Sequence, residues 1–194
     1  MYTLFISTYN ALITICLLKD DKIIEKKVQK SINSHSVHTM PMIKEILETN
    51  NLTTKDLNQI EVVNGPGSFT GVRLGVTIAK TLSYTLSIPI KTISSLHAIA
   101  LSSNSTKKLV TLRDIKGVYY GLFDDENTLL EPLNYLNNKE FNEFIEANDY
   151  QNILVEGVEE LDVLKIHEYL KKAKPTTHHH VNPLYIKKIE VEKW

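Results

Sequence analysis

The residues most able to do chemistry are concentrated in one run, Asn64-Gly65-Pro66-Gly67-Ser68-Phe69-Thr70-Gly71-Val72-Arg73-Leu74-Gly75. Gly65 and Gly67 permit positive φ or the close approach of another backbone, and Pro66 between them fixes one φ angle. Ser68 or Thr70 can cap a helix that starts there. The first amides of such a helix point outward and unpaired at the positive end of its dipole, so Gly67, Ser68, Phe69 and Thr70 form a possible anion-binding loop. A tight, well-capped strand-to-helix turn with no ligand explains the same residues. The run is not a Walker loop, because no Gly-Lys-Ser/Thr closes it, and the third glycine is displaced from a Gly-x-Gly-x-x-Gly frame. Nor is Ser68 a hydrolase elbow, since Thr70 stands where that frame needs glycine.

Other candidate groups assemble poorly. His178, His179 and His180 are adjacent, so they share no helical face, and a solvated loop accounts for them. His35 and His38 are three apart on a predicted helix, but no Asp, Glu or Cys at metal-ligand spacing completes a set. Asp124, Asp125 and Glu126 read as a charged turn at a strand end. Cys16 lies in an apolar run and reads as a buried structural thiol; a single cysteine makes no internal disulfide, which suits a reducing, cytoplasmic compartment. No metal site, nucleophile set or cofactor of its own is expected.

The elements that must position the loop are legible around it. Tyr2 to Ser7, Asn10 to Leu18 and Lys22 to Val28 read as three strands of an antiparallel meander. A helix follows over 35–49, capped by Ser34 or Ser36, with Val37, Met40, Ile43 and Leu47 at three- and four-residue steps. Pro41 requires that this helix begin near Met40 or kink there. A helical turn at 53–57 and a strand over Gln59 to Val63 lead into the glycine run. Beyond it come a helix over 70–86, a strand from Ile88, and a short helix over Ser95 to Leu101. The polar stretch 102–106 is the candidate boundary between lobes. Strands near 108–112, 118–123, 129–135 and 152–155, with helices near 139–147 and 161–173, make up the rest. The order predicts a mixed α/β fold.

The helix over 70–86 has more apolar surface than a surface helix needs. Gly71, Gly75 and Ala79 leave one line almost bare, so another backbone can approach. Val72, Val76, Leu82 and Leu86 flank it and suit an internal core, while Leu74, Ile78, Thr81 and Thr85 lie on a different face. Either the helix is wholly buried or its second face meets a partner, and a chain this short favours the partner.

With 194 residues, 42% hydrophobic and 23% charged, the chain suits one medium domain or two small lobes. Its net charge is −1. Residues 1–100 carry 10 basic and 7 acidic side chains and residues 101–194 carry 12 and 16, so no basic surplus supports a direct grip on nucleic acid. No signal-peptide pattern is read at the N-terminus, and no apolar stretch reaches the ~18–20 residues that span a bilayer.

Gly65 to Gly75 resembles the signature loop and helix of the TsaB/YeaZ family. Ile88-Pro89 with Ser94-Ser95-Leu96-His97-Ala98, His35-Ser36 with Met40-Pro41, Arg113-Asp114-Ile115-Lys116-Gly117-Val118-Tyr119, and Pro183-Leu184-Tyr185-Ile186-Lys187 are similar to later and earlier segments of that family, in the same order. The resemblance implies a two-lobed fold related to actin, sugar kinases and Hsp70 (ribonuclease H-like), with lobes at 1–103 and 104–181 and segment 182–194 docking on the first. It implies a non-catalytic partner and activator of TsaD in N6-threonylcarbamoyladenosine modification of ANN-decoding tRNAs. TsaE joins the assembly, a homodimer forms when TsaD is absent, tRNA is met indirectly, and ATP and metal belong to the partner subunits. The implied interface is a bundle of the helices near 35–49 and 70–86, through His35, Met40, Ile43, Leu47, Gly71, Leu74, Gly75, Ile78 and Thr81. The chain departs from the family at the end of its first strand, where an aspartate is usual and Ser7 stands, followed by Thr8 and Tyr9. A serine offers no fixed charge for Mg²⁺. The alternative is a small stand-alone ATPase or peptidase of the same superfamily, for which the glycine loop is the motive.

Overall fold

The computed structural model describes residues 1–31 and 34–187. Of the expected C-terminal docking segment, 182–187 are described and 188–194 lie outside the described residues.

Three strands open the chain: β1 (Tyr2–Ser7), β2 (Leu12–Lys19) and β3 (Lys22–Lys30). They pair antiparallel, and the tight turn between β2 and β3 is made by Asp20 and Asp21, both at positive φ. Two consecutive positive φ angles match the right-handed twist of a hairpin, and Asp tolerates them. Helix α1 (His35–Thr49) leads to β4 (Leu57–Val63), and α2 (Phe69–Leu86) leads to β5 (Ile90–Ile93). Both of these strands run parallel to their neighbours, giving the order β3-β2-β1-β4-β5. The edge strand β3 carries Lys22, Lys26, Lys27 and Lys30, and charge of this kind discourages pairing with another chain.

Side-chain alternation assigns the two faces of this sheet. Ile6 lies against α2 at Gly75. Phe5, one residue away, therefore points to the other face with its register partners Cys16 and Glu61. That face is covered by α3 (Ser95–Ser102) and by α5 (Val163–Lys172), which pack together, α5 also reaching β5. Covering on both sides explains why β1, β2 and β4 are almost continuously buried and apolar.

A second sheet has the order β8-β7-β6-β9, from β6 (Lys108–Arg113), β7 (Gly117–Phe123), β8 (Asn134–Asn137) and β9 (Leu154–Glu156). It packs against α4 (Asn138–Asn148) through a smaller core of Leu109, Val118, Tyr120, Leu122, Phe141 and Ile145. The strand expected over 129–135 is shorter and later: Leu129 makes an isolated bridge to Phe123, and the pairing with β7 starts at Asn134.

Helix α1 differs from its sequence reading in two ways. It begins at His35 and runs through Pro41 without a break, because Pro41 sits on the exposed side. Its buried face is His35, Thr39, Met42, Ile43, Ile46 and Leu47, so Val37 and Met40 are left in solvent. Helix α5 is equally informative. It falls within the stretch 104–181, yet Val163, Ile166 and Leu170 belong to the core of the first sheet.

Candidate functional site

The glycine loop joins β4 to α2 and gathers distant parts of the chain. Gly65 has φ of +100°, and the Gly65-Pro66 peptide is cis. A Cβ at Gly67 would lie 2.2 Å from the Tyr9 carbonyl oxygen, so the close approach that this glycine permits is made by the turn after β1. The Ser68 amide donates to that same carbonyl at 2.7 Å. Burial pushes the Tyr9 phenol up to about 12. The Ser95 amide donates to Gly65 O at 2.8 Å, and the Ser95 hydroxyl donates to Pro66 O. On the other side the Leu184 amide donates to Asn64 O at 2.7 Å, which ties residues 182–187 to the loop.

Ser68 is the helix cap: its Oγ accepts from the Gly71 amide at 3.2 Å, and its carbonyl accepts from Val72. Both the amide and the hydroxyl of Ser68 are therefore engaged within the chain. Phe69 and Thr70 stand exposed, and the Arg73 guanidinium lies 3.6 Å over the Phe69 ring. Arg73 Nε also donates to the Tyr185 hydroxyl at 2.7 Å. In front of these groups opens a cleft of about 1670 Å³, closed on its far side by the turn between β6 and β7 with Arg113, Asp114, Ile115 and Lys116. Two of its basic groups already have acidic partners, Arg113 with Glu156 at 2.6 Å and Lys187 with Asp114 at 3.4 Å.

The bare line on α2 is also used internally. The Thr8 hydroxyl donates to Gly71 O at 2.7 Å, and Cβ atoms at Gly71 and Gly75 would collide with Thr8. Thr8, the residue that follows β1, is thus what the small residues admit, its backbone at Gly71 and its side chain at Gly75. Ser7, at the position where the resembled family has aspartate, is buried, and its Oγ has no hydrogen-bond partner among the described residues.

Of the nine residues expected at an interface, His35, Ile43, Leu47, Gly71, Gly75 and Ile78 are buried beneath their own chain. His35 Nε2 meets Asn10 O at 2.7 Å, which anchors the start of α1. Leu74 is half-buried, and Met40 and Thr81 are exposed. Beside Met40 the structure exposes Val37, which periodicity places on the same face as Ile43 and Leu47, and Tyr84, which periodicity misses. Val37 is 63% exposed, Met40 46% and Tyr84 66%. Thr70, Leu74, Thr77, Thr81 and Tyr84 recur at three- and four-residue steps, so they form one stripe along α2. Helices α1 and α2 pack against each other. The signal that could have found Val37 and Tyr84 is an apolar arc too wide to be buried on one side.

Among the described residues no group of three His, Cys, Asp or Glu side chains is placed to hold a metal ion. His178 lies against a tilted His179 ring and meets the Tyr84 ring edge-on, while His180 Nδ1 is 3.0 Å from the Thr177 hydroxyl. No helix among the described residues is long and apolar enough to cross a membrane.

A five-stranded mixed sheet with this strand order, helices on both faces and a second sheet beyond defines an α/β protein. The family described as "TsaD: tRNA N6-adenosine threonylcarbamoyltransferase" matches residues 22–114. The tRNA threonylcarbamoyladenosine biosynthesis protein TsaB of Bacillus subtilis (strain 168) is 40% identical over 134 residues, covering 68% of this chain and 58% of that protein. TsaB of Buchnera aphidicola subsp. Schizaphis graminum is 37% identical over 114 residues, covering 56% of this chain and 54% of its own. The matched stretches thus span little more than half the length of these relatives. In solved structures, YeaZ from Pseudomonas aeruginosa superposes with a TM-score of 0.80 over 95% of this chain and 100% of that one, at 16% identity. In sequence and in fold the chain is therefore similar to the TsaB/YeaZ family.

Proposed function

We propose that this chain is a non-catalytic subunit that pairs with TsaD in tRNA N6-threonylcarbamoyladenosine synthesis, and that it meets its partner through the outer faces of α1 and α2. The observation that carries this reading is the solvent-facing apolar surface of those helices, Val37 and Met40 on one and Leu74 and Tyr84 on the other. Exposed apolar side chains in such density on packed helices mark an interaction surface. Contact runs through this outer stripe, with Thr77 and Thr81, while the buried Ile43, Leu47, Gly71, Gly75 and Ile78 hold the two helices in place beneath it. The two sheets correspond to two lobes, 1–103 and 104–181, with α5 returning to the first. ATP and metal reside in the partner subunits; TsaE joins that assembly, tRNA is reached through it, and the same stripe supports a homodimer when TsaD is absent. The Gly67–Thr70 loop serves as a structural hub, since Ser68 is spent on Tyr9 and Gly71.

Size-exclusion chromatography with light scattering, on the chain alone and mixed with purified TsaD, tests the proposal. A stable heteromer at micromolar concentration is expected, burying on the order of 1,600 Å² in total. Met40→Glu and Tyr84→Asp each leave the circular dichroism unchanged and weaken pairing by roughly tenfold or more, because a charge is desolvated without a partner. No heteromer, or variants that pair as the parent does, overturns the reading.

A further inference from the structure

Away from the glycine loop and the helical stripe, a chain of titratable groups joins two parts of the sequence that are far apart. Glu61 on β4 is fully buried, and His167 on α5 is only 1% exposed. His167 Nδ1 lies 2.9 Å from Glu61 Oε1, and its Nε2 lies 3.0 Å from Asp21 Oδ1 in the turn between β2 and β3. Lys171, one helical turn further on, places its ammonium 2.7 Å from Asp21 Oδ2. Gln59 Nε2 donates to Glu61 Oε1 at 2.7 Å, which marks that oxygen as an acceptor.

With Glu61 and Asp21 both ionised, proton counting fixes the state of the ring. An ionised carboxylate only accepts, and a neutral imidazole has a single N–H. A neutral His167 would satisfy one carboxylate and turn a lone pair on the other. The imidazolium satisfies both, and the row Glu61, His167, Asp21, Lys171 then alternates in sign. We infer that His167 is held as an imidazolium and works as a pH-responsive latch, fastening α5 to the buried face of the first sheet.

The other groups around the ring leave that assignment intact. On α5, Glu168 is held by Lys171. From β5, the Lys91 ammonium is spent on the Leu170 carbonyl at 2.7 Å. From β3, Lys26 is spent on Glu160 and on Leu161 O. From β2, the Cys16 thiol is neutral, burial pushing it up to about 12. The Glu61 hydrogen bond raises the His167 pKa above the ordinary histidine value; desolvation works against it, and the Asp21 hydrogen bond adds to the rise. A histidine whose folded pKa is raised contributes stability that is complete below its unfolded value of about 6.5 and is lost as pH rises through the folded value. Val163, Ile166 and Leu170 also anchor α5 in the apolar core, so loss of the ring charge loosens the helix without detaching it.

Nitrogen and carbon NMR of the imidazole, followed through a pH titration of the full chain, reads the charge directly. Hydrogen exchange over 163–172, corrected for its intrinsic pH dependence, reads the latch. Both ring nitrogens are expected to carry protons at pH 6.5. Protection of the α5 amides is expected to fall roughly tenfold (about 1.4 kcal/mol) once the ring deprotonates, with β4 and α2 unaffected. His167→Gln, whose donors sit on one nitrogen and whose oxygen would face one of the two carboxylates, is expected to be less protected at pH 6 and flat with pH. Should that variant not fold, Asp21→Asn, at an exposed turn, is expected to move the loosening to lower pH. A neutral ring at pH 6 with Glu61 protonated instead, or α5 protection in the parent that does not follow the ring's titration, overturns the inference.

Discussion

Replacing Gly75 with alanine tests whether the small-residue line on α2 serves this chain or another. A Cβ at 75 would lie 2.3 Å from Thr8 Oγ1, and that hydroxyl is fully buried and committed to Gly71 O. Rotating Thr8 away gives up a hydrogen bond worth about 1 kcal/mol. Overpacking in a closed site costs ~1–3 kcal/mol. Alanine returns about 1 kcal/mol of helix propensity. The net expectation is a loss of roughly 2 kcal/mol, which for a chain of this size lowers Tm by ~4–8 °C. Thr8→Ala removes the colliding oxygen and leaves an ordinary contact, since the Thr8 Cβ would be 3.6 Å from the new methyl. The double variant is therefore expected to be no less stable than Thr8→Ala alone, a coupling of ~1–3 kcal/mol that urea unfolding followed by circular dichroism resolves. Penalties that simply add, or a Gly75→Ala protein as stable as its parent, would refute the reasoning. The second outcome, joined to weakened pairing with TsaD, would return the glycine line to the partner.

Two further substitutions probe the supports of the loop and the second sheet. Ser95→Ala, which removes the hydroxyl bonded to the Pro66 carbonyl in a buried setting, is expected to cost ~1–2 kcal/mol in thermal or urea unfolding, and a neutral change would show that the loop is held by its backbone bonds alone. Asn137 and Glu140 form a reciprocal cap on α4, so Asn137→Ala is expected to cost about 1 kcal/mol, with the loss of hydrogen-exchange protection confined to residues near 138–148.

The meander, the strand-to-helix loop and the alternation of later elements were legible because each has a local cause: β-branched runs, paired aspartates at a turn, a serine three residues before a glycine amide. The burial of α1 was not. Val37 and Met40 share their helix with Met42 and Ile46, and all four are apolar, so spacing could not tell which pair the sheet would cover. The glycine line was correctly read as a place of close approach, but its occupant, Thr8, is sixty-odd positions upstream and carries no sign of the meeting. The same limit hid Glu61 and His167. Each looks like an ordinary surface residue in its own neighbourhood, and only the return of α5 to the first sheet makes them a pair.

That return also sets an order of events during synthesis. The first sheet has all five strands by Ile93, yet its last pieces of cover, α5 and the bridge from Thr176 to Ile90, are specified about seventy to eighty residues later. A nascent chain must hold an apolar sheet face open while the second sheet is still emerging from the ribosome. Contacts of such long sequence separation are slow to form, because the intervening loop must close before they add stability. The interval before α5 arrives is when this polypeptide is most exposed to aggregation, and when a chaperone would have an apolar face to hold.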